Sequence, residues 1–133
     1  MSHTPDSSVL IAALATWHAR HADARGALGG VQGVIGHALV ETFSVLTRLP
    51  APYRIAAPDA SAAIAGLPWP TVVLPGSDVA SLVTGAANMG LRGGAVYDAL
   101  IAATALHHGL SLLTLDVRAR KTYDLVGVPV RTL

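Results

Sequence analysis

Apolar and polar positions alternate along this chain in two kinds of block: long ones that repeat at helical spacing, and short β-branched ones bracketed by proline or glycine. Residues 7–15 read as a helix, followed by a more polar helix from Thr16 to Ala27 that stops at Gly29-Gly30. Val31 to Ile35 is a short strand, and His37 to Leu49 a helix ended by Pro50. After the turn Pro50-Ala51-Pro52-Tyr53, Ala-rich helical sequence resumes from Ala60 to Gly66. Thr71 to Leu74 is a strand, Ser77 to Asn88 a helix, and Met89 to Gly94 a loop. The pattern then predicts a helix over 95–108 stopped by Gly109, a strand over Ser111 to Leu115, a short helix from Val117 to Tyr123, and a last strand over Val128-Pro129-Val130. Strands alternating with helices predict an α/β fold: a mostly parallel central sheet of about four to five strands flanked by helices. At 133 residues this is expected to be a single domain, 1–133.

Four acids break this pattern. Glu41, the only glutamate, stands inside Ala38-Leu39-Val40-Glu41-Thr42-Phe43, and Asp98 inside Ala95-Val96-Tyr97-Asp98-Ala99-Leu100-Ile101. Asp6 and Asp116 each fall at a strand-to-helix junction, and ligands gather beyond the carboxyl ends of parallel strands. Either of these two can be read as an ordinary helix N-cap. Glu41 and Asp98 cannot: neither is at a cap, and neither has a Lys or Arg three or four residues away. Carboxylates leave water at a high cost unless a cation meets them, and a divalent metal is the common solution. The other acids need less explanation. Asp59 and Asp78 suit caps or first turns, Asp124 pairs with Arg120 or Lys121, and Asp23 lies between Arg20 and Arg25. The histidines fit no zinc spacing; His107 and His108 suit a helix C-terminus, and His37 lies one turn before Glu41.

Composition narrows the rest. Hydrophobic residues make up 52% but aromatics only 5%, so the core must be Ala, Leu and Val in close contact. A formal net charge of +1 gives no whole-molecule attraction to nucleic acid, so any such contact is local. There are eight Arg and one Lys, with Arg118, Arg120 and Lys121 clustered after Asp116. Having no cysteine, the chain forms no disulfide or thiolate site, which favours a cytoplasmic home. No apolar run approaches the ~18 residues of a membrane helix. Val9 to Ala15 is short enough for a signal-peptide core, but Asp6 and the lack of Lys or Arg before it give the wrong charge.

The stretch Gly93-Gly94-Ala95-Val96-Tyr97-Asp98-Ala99-Leu100-Ile101-Ala102-Ala103-Thr104-Ala105, then Leu112-Leu113-Thr114-Leu115-Asp116, then Gly127-Val128-Pro129-Val130, closely resembles the PIN domain of VapC-type toxins. Asp6-Ser7-Ser8-Val9-Leu10 and Val40-Glu41-Thr42 fit its first two acidic positions. The resemblance implies an endoribonuclease dependent on Mg²⁺ or Mn²⁺, the toxin of a bacterial toxin–antitoxin pair. It places Asp6, Glu41, Asp98 and Asp116 as catalytic and metal-binding acids, with Ser8 and Thr114 as supporting hydroxyls. It also implies a homodimer and a small VapB-type antitoxin whose C-terminal segment lies along the helices before Gly29 and the Ala60 to Gly66 region. One departure from the pattern is the polar start Met1-Ser2-His3-Thr4-Pro5, where Pro5 has no N–H; the first strand is expected to be short or frayed.

The residue chemistry is compatible with this. Hard oxygen ligands suit Mg²⁺ or Mn²⁺, which activate water for in-line attack on a phosphodiester; paired ions stand ~3.5–4 Å apart. Arg92, Arg118 and Arg120 are candidate phosphate contacts. Two rival functions are weaker. An aspartyl-intermediate phosphatase wants an acid at position 8, which is Ser8, and a catalytic lysine, where only Lys121 exists. A catalytically weak module that only binds antitoxin would not need all four acids.

Overall fold

The computed structural model describes residues 2–133, and Met1 lies outside them. In chain order the elements are β1 (His3–Pro5), α1 (Ser7–Leu14), α2 (His21–Gly26), a 3-10 turn (Ala27–Gly30), β2 (Val34–Ile35), α3 (Gly36–Arg48), α4 (Ala57–Ala65), β3 (Thr71–Val72), α5 (Gly76–Asn88), α6 (Gly94–His107), β4 (Ser111–Thr114), α7 (Val117–Val126) and β5 (Val130–Thr132). The five strands form two parallel groups, β1-β4-β5 and β2-β3. A bridge from His3 to Val31 joins them, giving the lateral order β3-β2-β1-β4-β5.

In that order the chain winds one way from β1 to β2 and β3, and the other way to β4 and β5. The crevice where the direction changes opens at the carboxyl ends of β1 and β4. β4 is the buried middle of its group, all four residues being inaccessible. Its alternation splits the core: Leu112 packs with Leu10, Ile35, Ile101 and Tyr123, while Leu113 packs with Val9, Ala12, Ala13 and Val31 on the other side.

Pro5 is tolerated because β1 uses alternate residues for its two neighbours. The Ser2 carbonyl and the Asp6 N–H bond to β4, whereas the His3 carbonyl accepts from Gln32 on the other side. Residue 5 therefore faces the second side, past the His3–Val31 bridge, where no ladder bond is lost. β1 is short, as its composition predicts.

Several expected elements differ in extent, the strand over Thr71 to Leu74 being only Thr71–Val72 and the helix over Ala60 to Gly66 running Ala57–Ala65. The polar helix over 16–27 is only α2 plus the 3-10 turn. Before it, the ring of His18 accepts the Arg20 N–H at 3.0 Å and the ring of His21 bonds the Ala12 carbonyl at 2.8 Å, and these side-chain bonds compete with helical ones. The strand over 31–35 is reduced to Val34–Ile35, the backbone at 31 making only the bridge. The last helix runs on to Val126, until Gly127 turns left-handed at φ 92° and its N–H reaches the Tyr123 carbonyl. The last strand shifts accordingly to Val130–Thr132. Among the described residues no helix is long and apolar enough to cross a membrane.

Candidate active site

Asp6 follows β1 and caps α1, accepting from the Val9 N–H at 3.2 Å. It is only 2% exposed, and its second oxygen accepts from the hydroxyls of Thr114 at 2.6 Å and Tyr123 at 2.8 Å. The Ser8 hydroxyl donates to the same oxygen as Val9 and accepts the Leu115 N–H at 2.9 Å. Burial pushes the Asp6 carboxyl above its usual range, and these four donors oppose that shift. Each carboxylate oxygen thus has both lone pairs occupied. Asp6 is the hub that ties β1, β4 and α7 together.

Asp116 lies two residues after β4 and caps α7, one oxygen accepting from the Arg118 and Ala119 N–H groups at 3.0 and 3.1 Å. The Thr114 hydroxyl links the two caps, since it also accepts the Asp116 N–H at 3.0 Å. Capping and site-building are one arrangement here, not alternatives.

Glu41 on α3 and Asp98 on α6 are half-buried and complete the ring. Both are pushed up, first by burial and then by other carboxylates: Asp98 and Asp6 raise Glu41, while Asp116 and Asp6 raise Asp98. Arg118 partly relieves Asp98. The one group paired with Glu41 is His37, at 3.5 Å, and burial lowers the His37 pKa, so it supplies little positive charge. The His37 ring stacks on Tyr97 with centroids 5.3 Å apart. On α6 the inward face runs through Asp98, Ile101, Ala102 and Ala105, while Leu106 is 47% exposed and lies off it.

All four acids line one cavity of about 540 Å³, together with Ser8, Gly94, Ala95, Arg118, Lys121 and Tyr123. As the side chains stand, no three His, Asp or Glu among the described residues converge closely enough to ligate one ion. Like charges with no cation between them spread apart. The donor set still fits a hard divalent cation: Glu41, Asp98 and the free oxygen of Asp116 line shared space with their charge only partly compensated. Asp6 can serve such an ion, directly or through a water, once one hydroxyl turns away. Thr114 holds both Asp6 and Asp116 in place.

Of the three candidate arginines, only Arg118 reaches the cavity. Arg120 donates to the Thr132 hydroxyl at 2.7 Å and lies 3.8 Å from Asp124, and Arg92 is exposed outside the lining. Lys121, visible in the sequence only as part of the basic cluster, and Tyr123, not singled out there, also line the cavity. A signal existed for Tyr123: it lies two helical turns after Asp116, on the face of Ala119, and a buried tyrosine needs a partner for its hydroxyl. We expect Tyr123→Phe to destabilise the chain by about 1–2 kcal/mol, a bond to a charged acceptor being worth roughly 1.5–3 kcal/mol. The loss shrinks in acid as Asp6 protonates. Urea unfolding of both proteins at two pH values measures it.

The sequence matches the family model of the PIN domain over residues 4–125. The chain belongs to the PIN-domain family. Among curated relatives of this PIN domain, ribonuclease VapC40 of Mycobacterium tuberculosis is 44% identical over 127 residues, 95% of each chain. Ribonuclease VapC27 of the same species is 39% identical over 126 residues, 94% of this chain and 92% of that one. The fold is shared with VapBC2 of Rickettsia felis, solved bound to a DNA fragment from its promoter, at a TM-score of 0.69 and 14% identity, covering 100% of this chain and 99% of that one. It is shared too with PAE2754 of Pyrobaculum aerophilum, at a TM-score of 0.64 and 17% identity, covering 98% and 89%.

Proposed function

We propose that this PIN domain is an endoribonuclease dependent on Mg²⁺ or Mn²⁺, the toxin of a VapBC-type pair, which hydrolyses RNA to stop translation and growth. The observation that carries the reading is the ring of four acids at the switch point, two of them held above their usual range partly by one another's charge. The ribonuclease names of both M. tuberculosis relatives support the substrate class.

Glu41, Asp98 and Asp116 would hold the cation, with Asp6 behind them. The metal supplies Lewis acidity and an activated water when bound. The chain's own contributions are distinct from that. Thr114 and Ser8 fix the carboxylates, Arg118 and Lys121 face the phosphates, and Gly94 and Ala95 leave the mouth unobstructed for a strand. Gly93 starts α6 at φ 61°, a conformation open to glycine. The phosphatase alternative fits worse: Asp6 is buried beneath four donors, which leaves no lone pair for attack.

For partners, the proposal takes the chain as a homodimer neutralised by a VapB-type antitoxin. A groove of about 440 Å³ between α1, α2 and α4, lined by Leu10, Leu14, Leu28, Ala62, Ala63 and Trp69, supports a docked antitoxin segment. Exposed Val40, Phe43 and Tyr97 supply apolar surface for pairing. The test is incubation of the purified chain with total RNA: cleavage with Mn²⁺ and none with EDTA is expected. Intact RNA at every metal concentration overturns the nuclease reading, and a monomer in sedimentation overturns the dimer.

A further inference from the structure

A second groove, of about 550 Å³, runs beside the acid cavity and is lined by Ser8, Ile11, His18, Arg20, Leu115, Asp116, Val117 and Arg118. Ser8, Asp116 and Arg118 line both, so the two spaces are continuous around Asp116. Resting on the ribonuclease reading, we infer that this groove binds the single strand of RNA next to the scissile phosphate, with His18, Arg20 and Arg118 as its phosphate contacts.

The charge distribution requires such a place. A ring of carboxylates repels every phosphate except one neutralised by metal, and a net charge of +1 supplies no general attraction. Neighbouring phosphates need local cations. Arg118 stands where the two spaces join, and among the described residues no carboxylate lies within ion-pair distance of it. The one acid in the groove, Asp116, already spends an oxygen on two backbone N–H groups.

The turn between α1 and α2 holds the other two donors in set orientations. Nδ1 of His18 accepts the Arg20 N–H, which puts the proton of the neutral ring on Nε2 and makes that atom a donor. Nε of Arg20 is held by Asp23 at 2.7 Å, which fixes the guanidinium and leaves its Nη groups to donate. The His18 bond is one of the two that break the polar helix expected over 16–27, so the break has a use. Ile11, Leu115 and the 72% exposed Val117 give the groove an apolar surface for a ribose or base.

The test measures binding in EDTA of a labelled single-stranded RNA of about ten nucleotides. Arg20→Ala should weaken binding about 3–10-fold and reduce the slope of log affinity against log salt by ~0.7, the value for one phosphate on a single strand. His18→Asn keeps an acceptor for the Arg20 N–H but loses the Nε2 donor, and should weaken binding with its melting temperature retained. Arg20→Lys replaces Arg20→Ala if the latter fails to fold, and should lose less affinity. Arg54→Ala, an arginine outside the groove that donates to the Leu49 carbonyl, controls for lost charge and should bind as the parent does. Groove variants that match Arg54→Ala in affinity and salt slope overturn the inference. The same variants with unchanged RNA affinity but altered sedimentation make the groove a contact between copies, which also overturns it. A parent chain that neither binds nor cleaves RNA instead overturns the ribonuclease reading itself.

Discussion

Asp98→Asn is expected to lower Mn²⁺-dependent RNA cleavage by more than the roughly 10–100-fold that follows loss of a residue merely supporting a metal ligand. The substitution keeps shape and hydrogen-bonding capacity on the inward face of α6 but removes the charge a cation needs. Asp98 makes no ion pair among the described residues, and no side-chain hydrogen bond binds it to the frame. Its loss therefore leaves β1, β4 and the two caps untouched. Circular dichroism and a cleavage time course on the same preparation check both halves. Cleavage by the variant at the parent rate sinks the assignment.

The second large effect concerns stability. Asp6, Glu41 and Asp98 carry folded-state pKa values above their ordinary 3.8, 4.5 and 3.8, with burial the leading cause in each. Through the window from those values up to the raised ones, the native state binds more protons than the unfolded chain. The stability these groups contribute is present in acid and lost as pH rises. His3 and His37 oppose this, because their lowered values leave the native state short of protons below 6.5. Asp98→Asn separates the two contributions. In EDTA near about pH 7.5 it should melt above the parent, because one repelling charge is gone, and the difference should shrink as falling pH protonates Asp98 in the parent. Mn²⁺ at about 100 times its dissociation constant should add about 2.7 kcal/mol to the parent at neutral pH. It should add much less to the variant, and less to either in acid, where protons compete for the ligands. Melting curves unmoved by Mn²⁺ at every pH would rule out a carboxylate metal site.

The four acids were legible because apolar context made them conspicuous. Glu41 and Asp98 sit inside runs that a helix buries, and such a conflict between local pattern and charge marks a site. Asp6 and Asp116 were ambiguous in sequence since an N-cap needs the same residue. In the structure both cap a helix and both line the cavity, with Thr114 bonded to each. The alternation of strands and helices likewise reads directly from periodicity. The role of Tyr123 does not, because it depends on an oxygen 117 positions away. Nor does the broken helix around His18, where side-chain bonds to backbone outweigh a pattern that reads as helical. Arg120 illustrates the reverse: a cation near an acid in sequence that tertiary contact with Thr132 turns elsewhere.

The pairing of β1 with β4 sets the order in which the molecule can assemble. His3 to Pro5 find their partners at Ser111 to Leu113, and the Asp6 hub is closed by groups 108 and 117 residues further on. Contacts of such long range form late and slowly, after the chain between them has condensed. During synthesis, which proceeds from the N-terminus, the first acid waits without its frame until nearly the whole sequence has been made. A growing polypeptide therefore carries helices and a partial core long before Thr114 and Tyr123 are present to close the frame around Asp6.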